Sequence, residues 1–290
     1  MTIGITGAGG QLGGSVLNEL LERGAKPGEI VAVTRTPEKI AGFAAKGVAV
    51  RAGDFDKPEG LAAAFKGIDT LLIIPTSDLR PGIRTPQHKA AIAAAKAAGV
   101  RHVVYVSTVG VRPGQDLLQS HHDTEEAVYA SGLTWTIARM GLYWENLLHG
   151  TLQHALASGV YAATGTAPIA NLSREDIAAS LAGLLLGKGH EGAVYHLTGA
   201  QALTPAEVAG TIAKVFGKPV QVAAVTDAQY AGALKAAGLP DFYVDALLAL
   251  EQTAAKGMLD VVTGDVARLS GKKPASFAEF LAARKEKLAA

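Results

Sequence analysis

Along the first half of the chain, short solid runs of apolar residues alternate with longer segments in which apolar and polar positions mix. The runs at residues 2–5, 30–34, 48–51, 70–74, 102–107 and 134–139 are rich in Val, Ile, Leu and Thr. Runs this short and this β-rich predict strands. The Ala-, Leu-, Lys- and Glu-rich stretches between them predict helices. Strand and helix in turn predict βαβ units, and the six strands predict one doubly wound parallel α/β sheet of Rossmann type ending near Arg139.

Capping signals mark the helix starts. Thr36-Pro37 sets a cap before a first-turn proline, Thr204-Pro205-Ala206-Glu207 adds a capping-box glutamate, and Ser276 with Glu279 repeats the box near the C-terminus. Beyond Arg139 the alternation loosens. A Gly-rich, polar stretch at 159–171 leads into mostly helical segments broken at 194–197 and 220–225. The pattern predicts a main α/β domain over residues 1–150 and a smaller lobe over 151–290, interleaved with the first and returning in part to its sheet.

Composition narrows the function classes. Among 290 residues, 27 Lys and Arg face 26 Asp and Glu, interspersed, for a net charge of +1. No basic stripe follows a phosphate backbone, so direct nucleic-acid binding is not expected. The longest apolar runs, such as 70–75 and 181–186, fall far short of the roughly 20 residues of a membrane span. Met1 leads straight into the first strand without the basic and apolar regions of a signal peptide, so a cytoplasmic protein is expected, as a monomer or homodimer. The absence of cysteine excludes disulfides, thiol nucleophiles and Cys-bound zinc. His121 and His122 diverge on a helix and no third ligand converges on them, so no metal is expected.

The candidate chemistry starts at Thr6-Gly7-Ala8-Gly9-Gly10-Gln11-Leu12-Gly13-Gly14, which follows the first strand and opens the first helix. In that position the main-chain N–H groups of Gly7, Gly9, Gly10, Gln11, Leu12 and Gly13 can face the pyrophosphate of a dinucleotide. A plain turn using its glycines only for positive φ is the bland alternative, and the order of strand, turn and helix favours the cradle. At the end of the second strand stands Arg35, where a carboxylate would bind a ribose 2′-hydroxyl. A guanidinium there can take a 2′-phosphate, with Lys39 one turn along as support, which points to NADPH over NADH. An ordinary solvated arginine is the other reading.

The glycines at 7, 10 and 13 follow GxxGxxG spacing, the pattern of extended and atypical short-chain dehydrogenase/reductases. The chain resembles the NmrA-like atypical group, in particular the bacterial triphenylmethane reductase and NAD(P)H:quinone oxidoreductase branch. The resemblance spans most of the chain and rests on the Gly-rich turn, Arg35, Gly53-Asp54-Phe55, the segment 97–102, His121 with Glu125, Arg139 with Tyr143 and Asn146, the segment 173–178, and Tyr195-His196-Leu197. It implies that Asp54 and Phe55 flank the adenine and that Ile74, Pro75 and Thr76 pass under the cofactor ribose. It further implies that Ser107, Thr108, Val109 and the stretch 140–143 approach the nicotinamide. Each segment follows the C-terminal end of a predicted strand, where open α/β sheets bind ligands. For Asp54 a turn-capping role is the even alternative.

The usual catalytic Tyr with Lys four residues later is missing, since none of the seven tyrosines has it. Acceptors such as quinones or dye cations take hydride without a dedicated acid in the same step, so orientation carries most of the catalysis. His121 has two readings. It is a proton donor or nicotinamide-ribose ligand, or it forms an i,i+4 surface pair with Glu125. Substrate contacts are expected from Tyr143, Trp144 and Asn146, with Trp144 as core the competing reading, and Phe242 and Tyr243 as weaker candidates. A non-catalytic NADP(H) redox sensor acting through a protein partner is the rival to the reductase.

Overall fold

The computed structural model describes residues 1–114, 116–148 and 150–289. Seven strands form the main sheet: β1 (Ile3–Ile5), β2 (Ile30–Thr34), β3 (Ala49–Ala52), β4 (Thr70–Ile73), β5 (His102–Thr108), β6 (Thr134–Met140) and, after β7 (Val160–Ala163), β8 (Ala193–Leu197). Their order is β3-β2-β1-β4-β5-β6-β8, and every pairing from β3 across to β6 is parallel. The order reverses between β1 and β4, the switch point at which doubly wound sheets open a crevice. The six expected strands form within a residue or two of the predicted bounds. The sheet does not stop at Arg139, because the run broken off as 194–197 pairs outside β6 as a seventh strand.

Central strands are fully buried, as their unbroken apolar runs require: Ile30–Thr34 and Thr70–Ile73 have no exposed position. Helix α1 (Gln11–Glu22) buries Leu12, Val16, Leu17 and Leu20, one helical stripe, against the sheet. Two further helices, α2 (Arg84–Ala97) and α3 (Asp116–Tyr129), follow β4 and β5. Val31, Phe65, Leu71, Ile73, Val103, Tyr105 and Ile137 centre one core cluster.

Contact density divides the chain into two units. The first holds residues 1–140, 178–195 and 269–271, and the second 141–177, 196–268 and 272–290. Helix α4 (Arg174–Leu186) runs from the second into the first. The second unit has its own core of Trp144, Leu152, Val208, Ile212, Phe277, Phe280 and Leu281. It also has a parallel pair, β7 with β9 (Gln221–Ala224), so the stretch read as Gly-rich and polar contributes a strand. Thr204 caps α5 (Pro205–Phe216) by accepting from the Glu207 N–H at 3.3 Å while Glu207 accepts from the Thr204 N–H at 2.8 Å, and Ser276 repeats this with Glu279. The Thr36 side chain makes no such bond; its N–H donates instead to Thr34 Oγ1 at 3.3 Å.

Candidate functional site

The turn after β1 is built around its glycines. Gly7 adopts φ +63°, and the Gly10 N–H donates to its carbonyl at 2.9 Å. A Cβ on Gly13 would stand 2.3 Å from the Gly7 carbonyl oxygen, and one on Gly9 2.7 Å from Thr34 Oγ1, so only hydrogen lets α1 and β2 close on the turn. Gly10 gives α1 no side-chain cap, and the first turn holds no acidic residue. The first N–H groups of α1 and the positive end of its dipole are therefore available to an anion. Leu12 turns into the core and Gln11 outward, so both offer their main chain.

At the switch point, Ile74 lies beside Gly7, its Cβ 3.5 Å from where a Gly7 Cβ would be, and its N–H donates to Thr6 Oγ1 at 3.0 Å. Pro75 and Thr76 continue half-buried. Arg35 is exposed past β2, and its guanidinium makes no ion pair or hydrogen bond among the described residues. Lys39 is exposed nearby in sequence. After β3, Asp54 Oδ1 accepts from the Asp56 N–H at 3.1 Å, the turn-capping arrangement, and Phe55 packs edge-on to His88 with ring centres 6.5 Å apart.

Behind these segments lies a polar cluster that sequence reading missed. Arg84 and His88 continue the buried stripe of α2 that Ala91 and Ala95 occupy further along, the one signal that marked them. Arg84 Nε donates to Ser120 Oγ at 3.0 Å, Nη1 to the Thr76 carbonyl, and Nη2 to His121 Nε2 at 3.0 Å. A guanidinium only donates, so His121 Nε2 accepts and its Nδ1–H donates to the Tyr105 hydroxyl 2.9 Å away. By the same logic His88 Nε2 accepts from the Thr76 N–H at 3.1 Å, and its Nδ1–H donates to Thr124 Oγ1 at 3.0 Å.

Both imidazoles are thus neutral with both nitrogens engaged. Burial, reinforced by the Arg84 charge, brings His88 down to about 3 and His121 well below the ordinary histidine value. This corrects the expectation for His121. The ring is 4% exposed and holds no free nitrogen for an acceptor or a ribose. Nor does it pair with Glu125.

Glu125, 3% exposed, instead joins three elements. It takes the Ser107 hydroxyl of β5 at 2.5 Å, both Arg139 Nε at 3.0 Å and Nη2 at 2.5 Å from β6, and the Tyr129 hydroxyl of its own helix at 3.2 Å. The Ser107 side chain is therefore committed inward, and at the end of β5 Thr108 and Val109 are buried as well, Thr108 Oγ1 donating to the Val109 carbonyl at 3.3 Å. Burial and the adjacent Glu125 charge push Tyr129 up to about 12.

In the second unit, Tyr143 is half-buried with the Arg174 guanidinium 5.0 Å over its ring, and burial raises its phenol to about 12. Asn146 is exposed. Trp144 is 2% exposed and stacks on Phe277 at 4.1 Å, so of its two readings, substrate contact and core, the structure has the core one. Its neighbour Glu145, another residue the sequence did not single out, accepts the first N–H of α4 with both oxygens at 3.1 Å. Phe242 and Tyr243 pack on each other, ring centres 5.1 Å apart. No group of three His, Cys, Asp or Glu able to hold a metal occurs among the described residues, and no helix among them is long and apolar enough to cross a membrane.

A family model described as NAD(P)H-binding matches residues 7–187, beginning at the Gly-rich turn. The chain belongs to this NAD(P)H-binding family. Quinone oxidoreductase 2 of Escherichia coli is 38% identical over 279 residues, covering 96% of each chain. The NAD(P)H azoreductase of Xenophilus azovorans is 31% identical over 278 residues, covering 95% of each. Among solved structures, the Escherichia coli NADPH-dependent quinone oxidoreductase complexed with NADPH aligns with TM-score 0.91 at 37% identity, over 97% of this chain and 99% of the other. The Citrobacter sp. triphenylmethane reductase complexed with NADP(H) gives 0.89 at 28% identity, over 98% and 99%. The resemblance to the NmrA-like atypical reductases stands on these matches.

Proposed function

We propose that this protein is an NADPH-dependent reductase that delivers hydride directly to quinones or similar electron-accepting aromatic molecules. The observation that carries the reading is the uncapped start of α1, closed over the turn by Gly9 and Gly13 at the point where the strand order reverses. Full-length similarity to quinone, azo-dye and triphenylmethane-dye reductases supports the acceptor class.

The main chain of Gly7, Gly9, Gly10, Gln11, Leu12 and Gly13 would hold the pyrophosphate. Arg35 and Lys39 would neutralise the 2′-phosphate, Asp54 and Phe55 would flank the adenine, and Ile74, Pro75 and Thr76 would support a ribose. Thr108, Val109 and the Ser107 main chain would border the nicotinamide, with Tyr143 and Asn146 as substrate contacts. NADPH bound there supplies the hydride. With His121 sealed and no Tyr/Lys pair, the chain's own part is to orient the two reactants and exclude water, which suits acceptors that need no enzyme acid.

The test is oxidation of NADPH by the purified protein, followed by absorbance, with a panel of quinones, triphenylmethane dyes and azo dyes beside simple ketones. Turnover of at least one aromatic acceptor and none of the ketones is expected. Absence of turnover with every acceptor, together with clearly different affinities for NADP⁺ and NADPH, would make the protein a redox sensor instead.

A further inference from the structure

The segment after β4 has no regular structure between Ile74 and Arg80, yet both main-chain polar groups of Thr76 are taken by side chains from one face of α2. Its N–H donates to His88 Nε2 at 3.1 Å and its carbonyl accepts from Arg84 Nη1. Residues 84 and 88 are four apart, so they stand one above the other on the helix. Each is held from behind. Arg84 is fixed by Ser120 and His121, and His88 by Thr124, all on α3, while Tyr105 of β5 closes the network on His121.

The proton count admits one arrangement. Thr124 Oγ1 donates to the Ser120 carbonyl at 2.6 Å, which leaves it an acceptor for His88 Nδ1–H. His88 must then be an acceptor at Nε2, the state that a main-chain N–H needs. Six side chains in all are buried, with Arg84 the most exposed at 7%. A buried network this complete has little freedom to rotate away.

We infer that Arg84 and His88 are positioning residues: a two-point clamp that fixes Thr76, and through it the Ile74–Thr76 strip beside Gly7, in the shape the cofactor meets. His121 serves as the post that aims Arg84, and its two nitrogens are used in that role. The part of the inference concerning cofactor affinity rests on the NADPH reading above; the clamp on the loop itself does not.

Two amide substitutions separate the clamp from general packing. In His88→Gln the amide oxygen reaches the place of Nε2 and can still accept from Thr76. In His88→Asn the shorter amide keeps a donor for Thr124 but falls short of Thr76. Hydrogen exchange on the protein without cofactor should show faster deuterium uptake over residues 74–80 in His88→Asn, with His88→Gln close to the parent. Loss of about one hydrogen bond's worth of preorganisation should weaken NADPH roughly 10-fold in His88→Asn, with the rise in KM several times larger than any fall in kcat.

Equal exchange in parent and His88→Asn overturns the clamp. So does a matched loss in His88→Gln and His88→Asn, which is what mere packing would give. Arg84→Lys provides an independent cut, since a single ammonium cannot serve Ser120, Thr76 and His121 in the guanidinium's fork geometry. It should also loosen residues 74–80. If exchange responds as expected but the parent protein binds no NADPH, the clamp holds and the cofactor reading fails.

Discussion

Arg35 carries its guanidinium in the open, with no internal partner to lose, so its removal acts on ligand rather than on fold. Arg35→Ala should weaken NADPH by roughly 10- to 100-fold, about 1.5–3 kcal/mol for hydrogen bonds to a charged group, and leave NADH nearly unchanged. Titration of both cofactors by protein fluorescence checks this, and equal losses would remove the basis for an NADP preference. Trp144 is the opposite case. Its indole lies between Phe277 and its own core neighbours, so Trp144→Ala should cost about 3–5 kcal/mol of stability. Urea unfolding measures that cost; a stable variant with a raised acceptor KM would return the residue to the substrate.

At the scale of elements, Glu125 ties α3 to the ends of β5 and β6 through Ser107 and Arg139. The Glu125 carboxylate is buried and its Arg139 partner only partly so, and removing the guanidinium strands the buried charge. Arg139→Met should therefore destabilise the protein by about 3 kcal/mol, judged from denaturant midpoints, and a loss below about 1 kcal/mol would mean that solvent replaces the guanidinium. The contact of α1 with its turn is less forgiving still. A Gly13→Ala methyl meets the Gly7 carbonyl at 2.3 Å, and both groups are main chain. Helix and turn must part, so NADPH affinity should fall by at least about 10-fold, one good charged hydrogen bond or more. Unchanged binding in Gly13→Ala would mean that the turn does not hold the phosphates.

For the whole molecule, the two buried imidazoles set a pH dependence. His88, at about 3 in the fold, and His121, also depressed, both return to about 6.5 when the chain unfolds. The unfolded chain then binds more protons than the native one below about pH 6.5, so their contribution is complete above that pH and is lost as pH falls toward the folded values. Each histidine should add a slope of about 1.4 kcal/mol per pH unit once its unfolded form is fully protonated. Urea unfolding of the parent and of a His88→Gln/His121→Asn double variant across mildly acid pH measures the difference. Identical slopes would show that the rings are not neutral in the fold. At the same scale, turnover should show no His121-derived step between about pH 6 and about pH 8, because the ring does not titrate there.

The strand runs, the Gly-rich turn, the capping boxes at Thr204 and Ser276 and the isolated Arg35 were legible in the sequence because each rests on local rules. A short apolar run, a glycine at a strand-to-helix turn and a Ser/Thr with Glu three residues on act through neighbours in the chain. The place of the returning strand beside β6, the inward commitment of Ser107 and Glu125, and the clamp of Arg84 and His88 were not legible, and which of the two readings of Trp144 holds was decided only by the fold. Their meaning comes from partners remote in sequence: Thr76 with His88, Glu125 with Arg139, Trp144 with Phe277. His121 shows the division most sharply. Its place at a helix start marked it as a titratable group near a strand end, but only the packing of Arg84 against one nitrogen and Tyr105 against the other decides that it stays neutral and buried.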